Sequence, residues 1–401
     1  MRLNIISLGF CCLFSTPLLA GIAFTTPQGS LKLSGDVEFN MDGASTANQL
    51  TSVKSSPEKN KKPGDKERWD INGRILIGFD GYRGLDNGNF AGFTVQPLAD
   101  LSGQMNLDDA AFFFGQEKMW QIKLGRFEAY DMFPLSQDTF IEYSGNTAND
   151  LYADGYGYIY MMKEGRGRSS NGGNAQINGH LDKWYFEINA LIEDGTRLFV
   201  DQQYHGQKIT NEKNVVYLRP IIAWKGDSVS TAVGMETNIV SNAYGYKDEN
   251  QRWHDESKRT GYGLSSSWKS DNYQSSSAQG TIANINLAYL DAQGETNLTG
   301  GANVLWNKFE LGYIYAHNKI SERTALNNYQ HQHNLMNLQG KYKIHTIHTS
   351  YLIPNVLDMD NFNIYLGAYW SRLERISTNL SQNDKSNDDR YGARVRFKYL
   401  F

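Results

Sequence analysis

Apolar and polar residues alternate with a period of two along most of the chain. In segment 31–41, for example, Leu31, Leu33 and Val37 alternate with Lys32 and Asp36. This period is typical of β-strands, whose side chains point alternately to opposite faces. The pattern predicts strands in seventeen segments: 31–41, 69–79, 90–101, 109–117, 119–127, 154–163, 174–181, 184–192, 214–224, 228–237, 259–268, 278–290, 299–306, 308–316, 334–353, 361–371 and 389–401.

The connections between these segments alternate in length. Tight turns at 182–183, 225–227 and 307–308 fall among long polar insertions at 43–66, 128–153, 193–213, 238–258, 317–333 and 372–388. Strands of about 9–11 residues, with short turns on one side and long loops on the other, are typical of outer-membrane barrels. We therefore predict an all-β fold, a transmembrane antiparallel β-barrel with short periplasmic turns and long extracellular loops. Closure requires an even number of strands, so we expect 18, with 16 as the alternative.

Aromatic residues lie where the membrane interfaces of such a barrel would be. Seven tryptophans begin or end a segment, which favours an interfacial belt over the main soluble alternative, a β-sandwich lectin. They are Trp69, Trp120, Trp184, Trp224, Trp268, Trp306 and Trp370. The final segment, 389–401, alternates strictly and ends in an aromatic residue. This ending resembles the signal that barrel-assembly machinery recognises, which assigns that role to Tyr399 and Phe401.

The first 23 residues have the features of a secretory signal peptide. Arg2 supplies a positive charge, an apolar stretch follows, and Ala20 or Ala23 is the residue after which cleavage is expected. Cys11 and Cys12, the two cysteines of the chain, lie in this leader, so the mature chain would contain no disulfide. We expect residues 1–23 to be removed and residues 24–401 to form one barrel domain.

Charge and motifs narrow the function further. The 401 residues carry a formal net charge of −4 and a mean hydropathy of −0.54, which argues against transmembrane helices and against non-specific nucleic-acid binding. No nucleophile elbow, P-loop or H-E-x-x-H motif is present. His331 and His333, two residues apart at the edge of a loop, are better explained as polar surface than as a metal site. We expect no enzyme activity, no metal and no cofactor.

The segment 119–160 is the most informative part of the chain. A strand ending in KLGRF (123–127) runs into a loop rich in acids and aromatics, 128–143, which returns through Gly, Asn and Asp residues to Tyr156, Gly157 and Tyr158. In these elements the chain resembles bacterial outer-membrane porins, in particular the carbohydrate-selective glycoporins of the raffinose-porin type. The resemblance extends weakly over the mature chain through the strand pattern and the terminal Phe401. It implies that loop 128–146 folds inward and constricts a water-filled channel.

The resemblance also assigns candidate residues to the channel. Acids that bind hydroxyl groups, aromatic rings that stack on sugars and one arginine make up the constriction set: Arg126, Glu128, Tyr130, Asp131, Phe133, Asp138, Phe140, Glu142 and Tyr143. Arg126 belongs to this set only if a bulge at Gly125 reverses the strand parity. Inward parity gives the pore-wall set: Lys32, Asp36, Glu38, Arg74, Lys123, Arg394, Arg396 and Lys398. Acids on the loop facing a basic wall would set up a transverse electric field across the water.

The sequence thus predicts an outer-membrane porin of a Gram-negative bacterium that passes small hydrophilic solutes, with oligosaccharides favoured, by passive diffusion. The alternatives are a non-specific general diffusion porin and, less favoured, an outer-membrane hydrolase or a soluble lectin. Expected partners are the permeating solutes, outer-membrane lipid and lipopolysaccharide, the barrel-assembly machinery and, by the family resemblance, two further copies in a homotrimer. Nucleic acid is not an expected partner.

Overall fold

The alternating segments form long antiparallel strands that close into a barrel. The computed structural model describes residues 21–45, 68–101, 103–132, 172–199, 202–204, 207–274, 278–321, 340–376 and 385–401. Short 3-10 turns lie at Gly195–Leu198 and Val356–Asp358, and within the described residues no helix has the length and apolar character needed to cross a bilayer. The strands are β1 (Ile22–Thr26), β2 (Gly29–Ala44), β3 (Arg68–Gly84), β4 (Asn89–Asp100), β5 (Met105–Gln116), β6 (Trp120–Arg126), β7 (Gly173–Leu181), β8 (Trp184–Glu193), β9 (Gln203–Tyr204), β10 (Gln207–Lys208), β11 (Thr210–Asn211), β12 (Val215–Lys225), β13 (Val229–Asn238), β14 (Tyr244–Lys247), β15 (Trp253–Asp255), β16 (Arg259–Lys269), β17 (Thr281–Ala292), β18 (Glu295–Trp306), β19 (Phe309–Ile320), β20 (Gly340–Ile353), β21 (Phe362–Ile376) and β22 (Lys385–Leu400).

Sixteen of these strands form the barrel wall: β2–β8, β12, β13 and β16–β22. Each pairs with its neighbour in the chain, and β22 pairs back with β2 over nine residue pairs from Asp36↔Leu400 to Ala44↔Gly392. Closure leaves no open edge between the first and last wall strands, so their backbone N–H and C=O groups bond to each other rather than to solvent.

The expected count of 18 strands is wrong, and the alternative of 16 is the number observed. The difference has two sources: an eighteenth strand was added to the seventeen predicted segments only to make the number even, and segment 154–163, which the alternation predicts as a strand, lies outside the described residues. Strands β6 and β7 pair directly, from Trp120↔Gly179 to Gly125↔Asn174, so nothing from the intervening segment is inserted between them in the wall. A period of two identifies an amphipathic segment without telling whether it joins the wall.

Strand β1 lies outside the sixteen wall strands and prolongs the sheet below β22. It pairs with the first part of β2, from Ile22↔Leu33 to Thr26↔Gly29. Strand β22 covers the same edge of β2 from Asp36 onward, and the Gly35 N–H donates to the Phe401 carbonyl at 2.9 Å. The predicted leader boundary at residues 20–23 therefore falls at the start of β1, and residues 1–20 lie outside the described residues.

The two faces of the wall differ sharply in exposure and polarity. On β17, the outward Ile285 and Leu287 are 57% and 48% exposed, while the inward Asn284 and Asn286 are 2% and 4% exposed. The connections 85–88, 117–119, 182–183, 226–228, 270–280, 307–308 and 354–361 lie at one end of the barrel, here called the turn end. The opposite end, the loop end, carries the connections after β2, β4, β6, β8, β13, β17, β19 and β21.

Tryptophans ring the outward face at the turn end. Trp120, Trp184, Trp224, Trp268 and Trp306 all begin a wall strand or end it within one residue, and all share the outward parity. An indole at this position places its apolar ring against lipid tails and its N–H toward the headgroups. Two connections at the loop end, 101–104 and 293–294, are as short as the turns, so the alternation of long and short connections is incomplete.

Part of the barrel interior is filled by an apolar core. Leu198, Phe199 and Tyr204 from the connection after β8 pack with Tyr244 of β14 and with the inward Tyr217 of β12, and all are at most 6% exposed. The rings of Phe199 and Tyr204 are 4.4 Å apart, and the Tyr204 hydroxyl donates to the Gln293 carbonyl at 3.0 Å. A 16-strand barrel is too wide for wall side chains to fill, and here connections fold inward and fill part of it.

Candidate functional site: the barrel lumen

The chain leaves the wall early at the end of β6, which has only seven residues. Gly125 adopts a φ of +130°, and a Cβ there would lie 2.2 Å from the Ala110 carbonyl oxygen, so only glycine fits. After it, the Phe127 ring is fully buried beneath the Lys123 ammonium group, 4.4 Å away, and Asn174 donates to the Phe127 carbonyl at 2.9 Å. Because Lys123 and Asn174 face inward, residues 127–132 enter the lumen instead of continuing upward in the wall.

Tyr130 lies on an aromatic platform on the inner face of the wall. Its ring stacks on Tyr185 of β8 at 5.4 Å and 29°, and the Lys225 ammonium lies 5.6 Å from the ring centroid. Its backbone N–H donates to Glu187 at 3.3 Å, and burial together with the Asp131 and Glu187 charges raises the pKa of Tyr130 to about 12. The hydroxyl therefore stays protonated near neutral pH and can both donate and accept a hydrogen bond.

A buried carboxylate organises this platform. Glu187 accepts hydrogen bonds from the Tyr185 hydroxyl and from Gln176 Nε2, the latter at 2.5 Å. Tyr185 and Glu187 come from β8 and Gln176 from β7, all with inward parity. Sequence analysis missed these three residues, although their inward positions on the predicted strands 174–181 and 184–192 would have identified them.

The constriction set divides into described and undescribed residues. Glu128, Tyr130 and Asp131 lie on the inward segment, and Glu128 and Asp131 are partly buried. Phe133, Asp138, Phe140, Glu142 and Tyr143 lie outside the described residues.

Arg126 takes a different position from the one its place in that set requires. Strands β5 and β6 keep an unbroken register from Gln116↔Trp120 to Ala110↔Arg126, without the bulge expected at Gly125. Arg126 therefore lies on the outward parity, and its Nε donates to the carbonyls of Leu107 and Asp108 at 2.9 and 2.8 Å. The unusual φ of Gly125 redirects the chain without inserting a residue, so the parity of Arg126 does not change.

Six of the eight pore-wall residues lie where the first and last wall strands join; five of them pair with one another, and the sixth, Arg394, pairs with Asp42. Arg74 donates from Nε and Nη2 to the two carboxylate oxygens of Asp36, at 3.3 and 3.4 Å. Glu38 lies 3.3 Å from Arg396 and 3.6 Å from Lys398. The pairing links β2 to its neighbours on both sides, so the bases of the expected basic wall are largely neutralised by acids of the same wall.

The ion pairs and hydrogen bonds that join β22, β2 and β3 on the inner face are here called the closure network. Arg394 is its most deeply buried member. Its side chain is 0% exposed and binds both oxygens of Asp42, with Nη2 at 2.5 Å from Oδ2. Asn72 donates to the same carboxylate at 2.8 Å and accepts from Asn40 at 2.9 Å. Arg396 Nε in turn donates to Asn40 at 2.9 Å, so hydrogen bonds run without a break across β22, β2 and β3.

The two remaining wall residues stand apart from the network. Lys32 is partly buried and opposite Asp80 of β3, near the turn end. Lys123 covers Phe127 at the root of the inward segment.

A second hydrogen-bonded ladder crosses five other wall strands, β16–β20. Ser267 donates to Asn284 at 2.6 Å, Asn284 to Asn303 at 2.9 Å, and Asn303 to Glu310 at 2.7 Å. Ser350 completes the chain by donating to the other oxygen of Glu310 at 2.9 Å. The ladder presents hydroxyl, amide and carboxylate groups in a row, although its members are almost fully covered.

An ion triad lies on β12, β13 and β16. Arg219 Nε is 3.1 Å from Glu236 Oε2, and Arg259 Nε is 3.8 Å from Glu236 Oε1, with all three side chains at most 4% exposed. Buried charges of this kind require mutual pairing. Sequence analysis did not single out these residues, because one charge on each of three separate strands leaves no local motif.

Water has unequal access to the inner face. Inward Asp36 and Lys123 keep partial exposure and the Arg74 side chain is 37% exposed, whereas Asn286 and Asn303 are at most 4% exposed. The inner face is thus partly accessible along β2–β6, where Glu38 and Asn40 are nevertheless buried, and the inner face of β16–β20 is largely covered.

Comparison with known proteins agrees with this architecture. A family model described as porin-like glycoporin RafY matches residues 33–401. No curated protein sequence matches the chain. Among solved structures, the chain is similar to the outer membrane channel DcaP of Acinetobacter baumannii at 11% identity, covering 94% of this chain and 99% of that one with a TM-score of 0.55. It is also similar to an anion-selective porin from Comamonas acidovorans at 14% identity, covering 93% of this chain and 100% of that one with a TM-score of 0.54.

Proposed function

The chain belongs to the porin-like glycoporin RafY family and forms an outer-membrane channel of a Gram-negative bacterium, and we propose that this channel passes small hydrophilic solutes by passive diffusion, with oligosaccharides favoured. The single observation that carries the proposal is the platform formed by Tyr130 of the inward segment and Tyr185 of β8, with Glu187 hydrogen-bonded to it. We propose that this segment, continued by loop 128–146, is the constriction.

The platform has the chemistry that a sugar site needs. A pyranose ring offers an apolar C–H face and a rim of hydroxyl groups, which suit an aromatic surface flanked by groups that donate and accept hydrogen bonds. Tyr130 contributes an aromatic surface, since its ring is held in place by stacking on Tyr185. It also contributes a group that donates and accepts hydrogen bonds, since its hydroxyl keeps its proton. Lys225 and Asp131 add charge next to the ring. Such contacts are individually weak, which permits release as well as binding.

The function is tested by conductance of the purified full chain in planar bilayers, titrated with maltose, sucrose and raffinose. We expect each trisaccharide or disaccharide that enters to block the ion current in a saturable way. Replacing Tyr130 by alanine is expected to weaken block by about 3- to 10-fold, since aromatic contacts contribute about 0.5–1.5 kcal/mol. Tyr130→Phe retains the ring and should lose less.

The matched control is Tyr313→Ala, which removes a tyrosine from the outward face, where 42% of it is exposed. It should leave sugar block unchanged. If none of the sugars blocks the wild-type current, the channel is a general diffusion porin and the preference for oligosaccharides is refuted.

Ion selectivity gives a separate test of the constriction. Asp131→Ala combined with Glu142→Ala should reduce the preference for cations, because it removes two negative charges from the narrowest part of the path. The measurement is the reversal potential in a salt gradient. Asp227→Ala, at a turn and paired with Lys183 at 3.4 Å, is the control for a charge change elsewhere. A reversal potential that the double variant leaves unaltered would mean that loop 128–146 does not line the path.

Two further proposals concern assembly. The homotrimer and the role of Tyr399 and Phe401 as an assembly signal rest on the family resemblance. In the barrel these two rings stack at 6.2 Å on the outward face, where another protein can reach them.

A further inference from the structure

Cations are concentrated on the outward face of three adjacent wall strands near the loop end. The rim patch consists of His317 and Lys319 on β19, Lys341 and Lys343 on β20, and Arg372 on β21. Lys319 lies directly opposite Lys341, and His317 directly opposite Lys343. All five have the parity of outward side chains, not of the lumen.

The corresponding positions on other described wall strands are different. Outward residues toward the loop end there include Met41, Ile71, Ile192 and Tyr289, which are apolar or uncharged. Arg126 is another outward cation at this level, and its guanidinium is already bound to two backbone carbonyls. On β17 the outward charge at this end is the acidic Asp291, so the rim patch is a local concentration of positive charge.

The patch carries more positive than negative charge. Arg372 is paired with Asp389 at 2.9 Å, and Glu374 stands opposite Lys343. Lys319 and Lys341 are both exposed, and within the described part of the chain no carboxylate lies within ion-pairing distance of either. Like charges directly opposite each other on a sheet are destabilising unless an anion lies between them.

The level of the rim patch relative to the membrane indicates which kind of anion can lie beside it. On β19 the outward residues before it are Leu311, Tyr313 and Tyr315, and on β21 Trp370 immediately precedes Arg372 on the same face. Tyrosine and tryptophan mark the membrane interface, so the lysines stand at the level of lipid headgroups. Loop ends of outer-membrane barrels face the cell exterior.

We propose that the rim patch binds the phosphate groups of a phosphorylated glycolipid of the outer leaflet. Side chains on one face of a strand repeat every ~6.6 Å, and opposite residues on neighbouring strands are ~5 Å apart. Lys319, Lys341 and Lys343 can therefore reach one phosphate together. The acyl chains of the same lipid lie against the apolar outward face below. This site is independent of what the channel passes.

The experiment uses the full chain refolded without lipid and mixed with detergent micelles that contain purified bisphosphorylated lipid A. We expect saturable binding, measured as lipid phosphate retained with the protein after gel filtration. Changing Lys319→Gln, Lys341→Gln and Lys343→Gln together should weaken binding by on the order of 10- to 100-fold, since each cation near an anionic headgroup contributes about a factor of five. The single variant Lys341→Gln should show a smaller loss.

The control removes charge at the other end of the barrel, by Lys118→Gln and Lys183→Gln in the turns 117–119 and 182–183, and should leave binding unchanged. Heat-modifiable gel migration verifies that each variant is folded, and Lys341→Gln alone carries the test if the triple variant does not fold. Dephosphorylated lipid A should bind wild type as weakly as the triple variant binds the phosphorylated form. Equal binding of both lipids, or full binding by folded variants, would refute the proposal.

Discussion

Replacing Gly125 by alanine is expected to destabilise the barrel by about 3 kcal/mol or more. The added Cβ would lie 2.2 Å from the Ala110 carbonyl oxygen and 2.9 Å from the Ala111 Cα, both backbone atoms of the paired strand. The backbone there also has a φ of +130°, which alanine rarely adopts. Strands β5 and β6 would have to separate where the chain turns into the lumen. The measurement is the urea midpoint of unfolding in detergent micelles.

A second glycine separates the clash from the backbone strain. Gly103 has a φ of +84°, and a Cβ there meets nothing within 4 Å. Gly103→Ala should therefore cost only about 1 kcal/mol. If both variants shift the midpoint equally, the close approach of β5 to Gly125 is not what requires glycine. We also expect Gly125→Ala to weaken sugar block, because residues 127–131 follow directly.

Replacing Arg394 by methionine is expected to cost about 3–5 kcal/mol, the range measured when one partner of a buried ion pair is removed. The change leaves the Asp42 carboxylate, which is 11% exposed, without the guanidinium that pairs with it, and Asn72 still donates to it. This pair joins the last wall strand to the first, so its loss weakens closure itself. The barrel should lose its heat-modifiable gel migration at a lower temperature than wild type.

Two further variants separate the effect of the buried charge from the other effects of replacing Arg394. Arg372→Met removes an arginine that pairs with Asp389 across β21 and β22 while 40% exposed, and solvent screening should make its effect much smaller. Asp42→Asn added to Arg394→Met removes the uncompensated charge and should restore part of the stability. A double variant no more stable than Arg394→Met would show that the arginine acts by filling space and not by its charge.

The wall could be predicted from sequence because membrane and lumen impose opposite demands on alternate residues. Outward Ile285 and Leu287 face lipid and inward Asn284 and Asn286 face the interior, which the period of two records directly. The number of strands was harder to predict, since segment 154–163 alternates in the same way as the wall strands, and alternation alone does not tell whether a segment joins the wall.

The interior could be predicted only in part. Parity correctly placed Asp36, Glu38 and Arg74 on one face, but pairing depends on the register between strands, which a single sequence does not specify. Leu198 and Phe199 lie in an insertion that was interpreted as a polar loop. Apolar residues there have no regular period, and their partners, such as Tyr217, come from distant strands. A sequence rule that noted buried-type residues inside a long connection would have flagged this core.

Strands β1 and β22 share one edge of β2, and this fixes the order in which that edge can be paired. Strand β1 precedes β2 and is joined to it by the two-residue turn 27–28, so it can form a local hairpin with Gly29–Leu33 without any other strand. The remainder of the edge, Asp36 to Ala44, accepts β22, which is synthesised last. Part of the edge of the first wall strand therefore stays unpaired until β22 docks, and this one pairing completes the closure of the barrel.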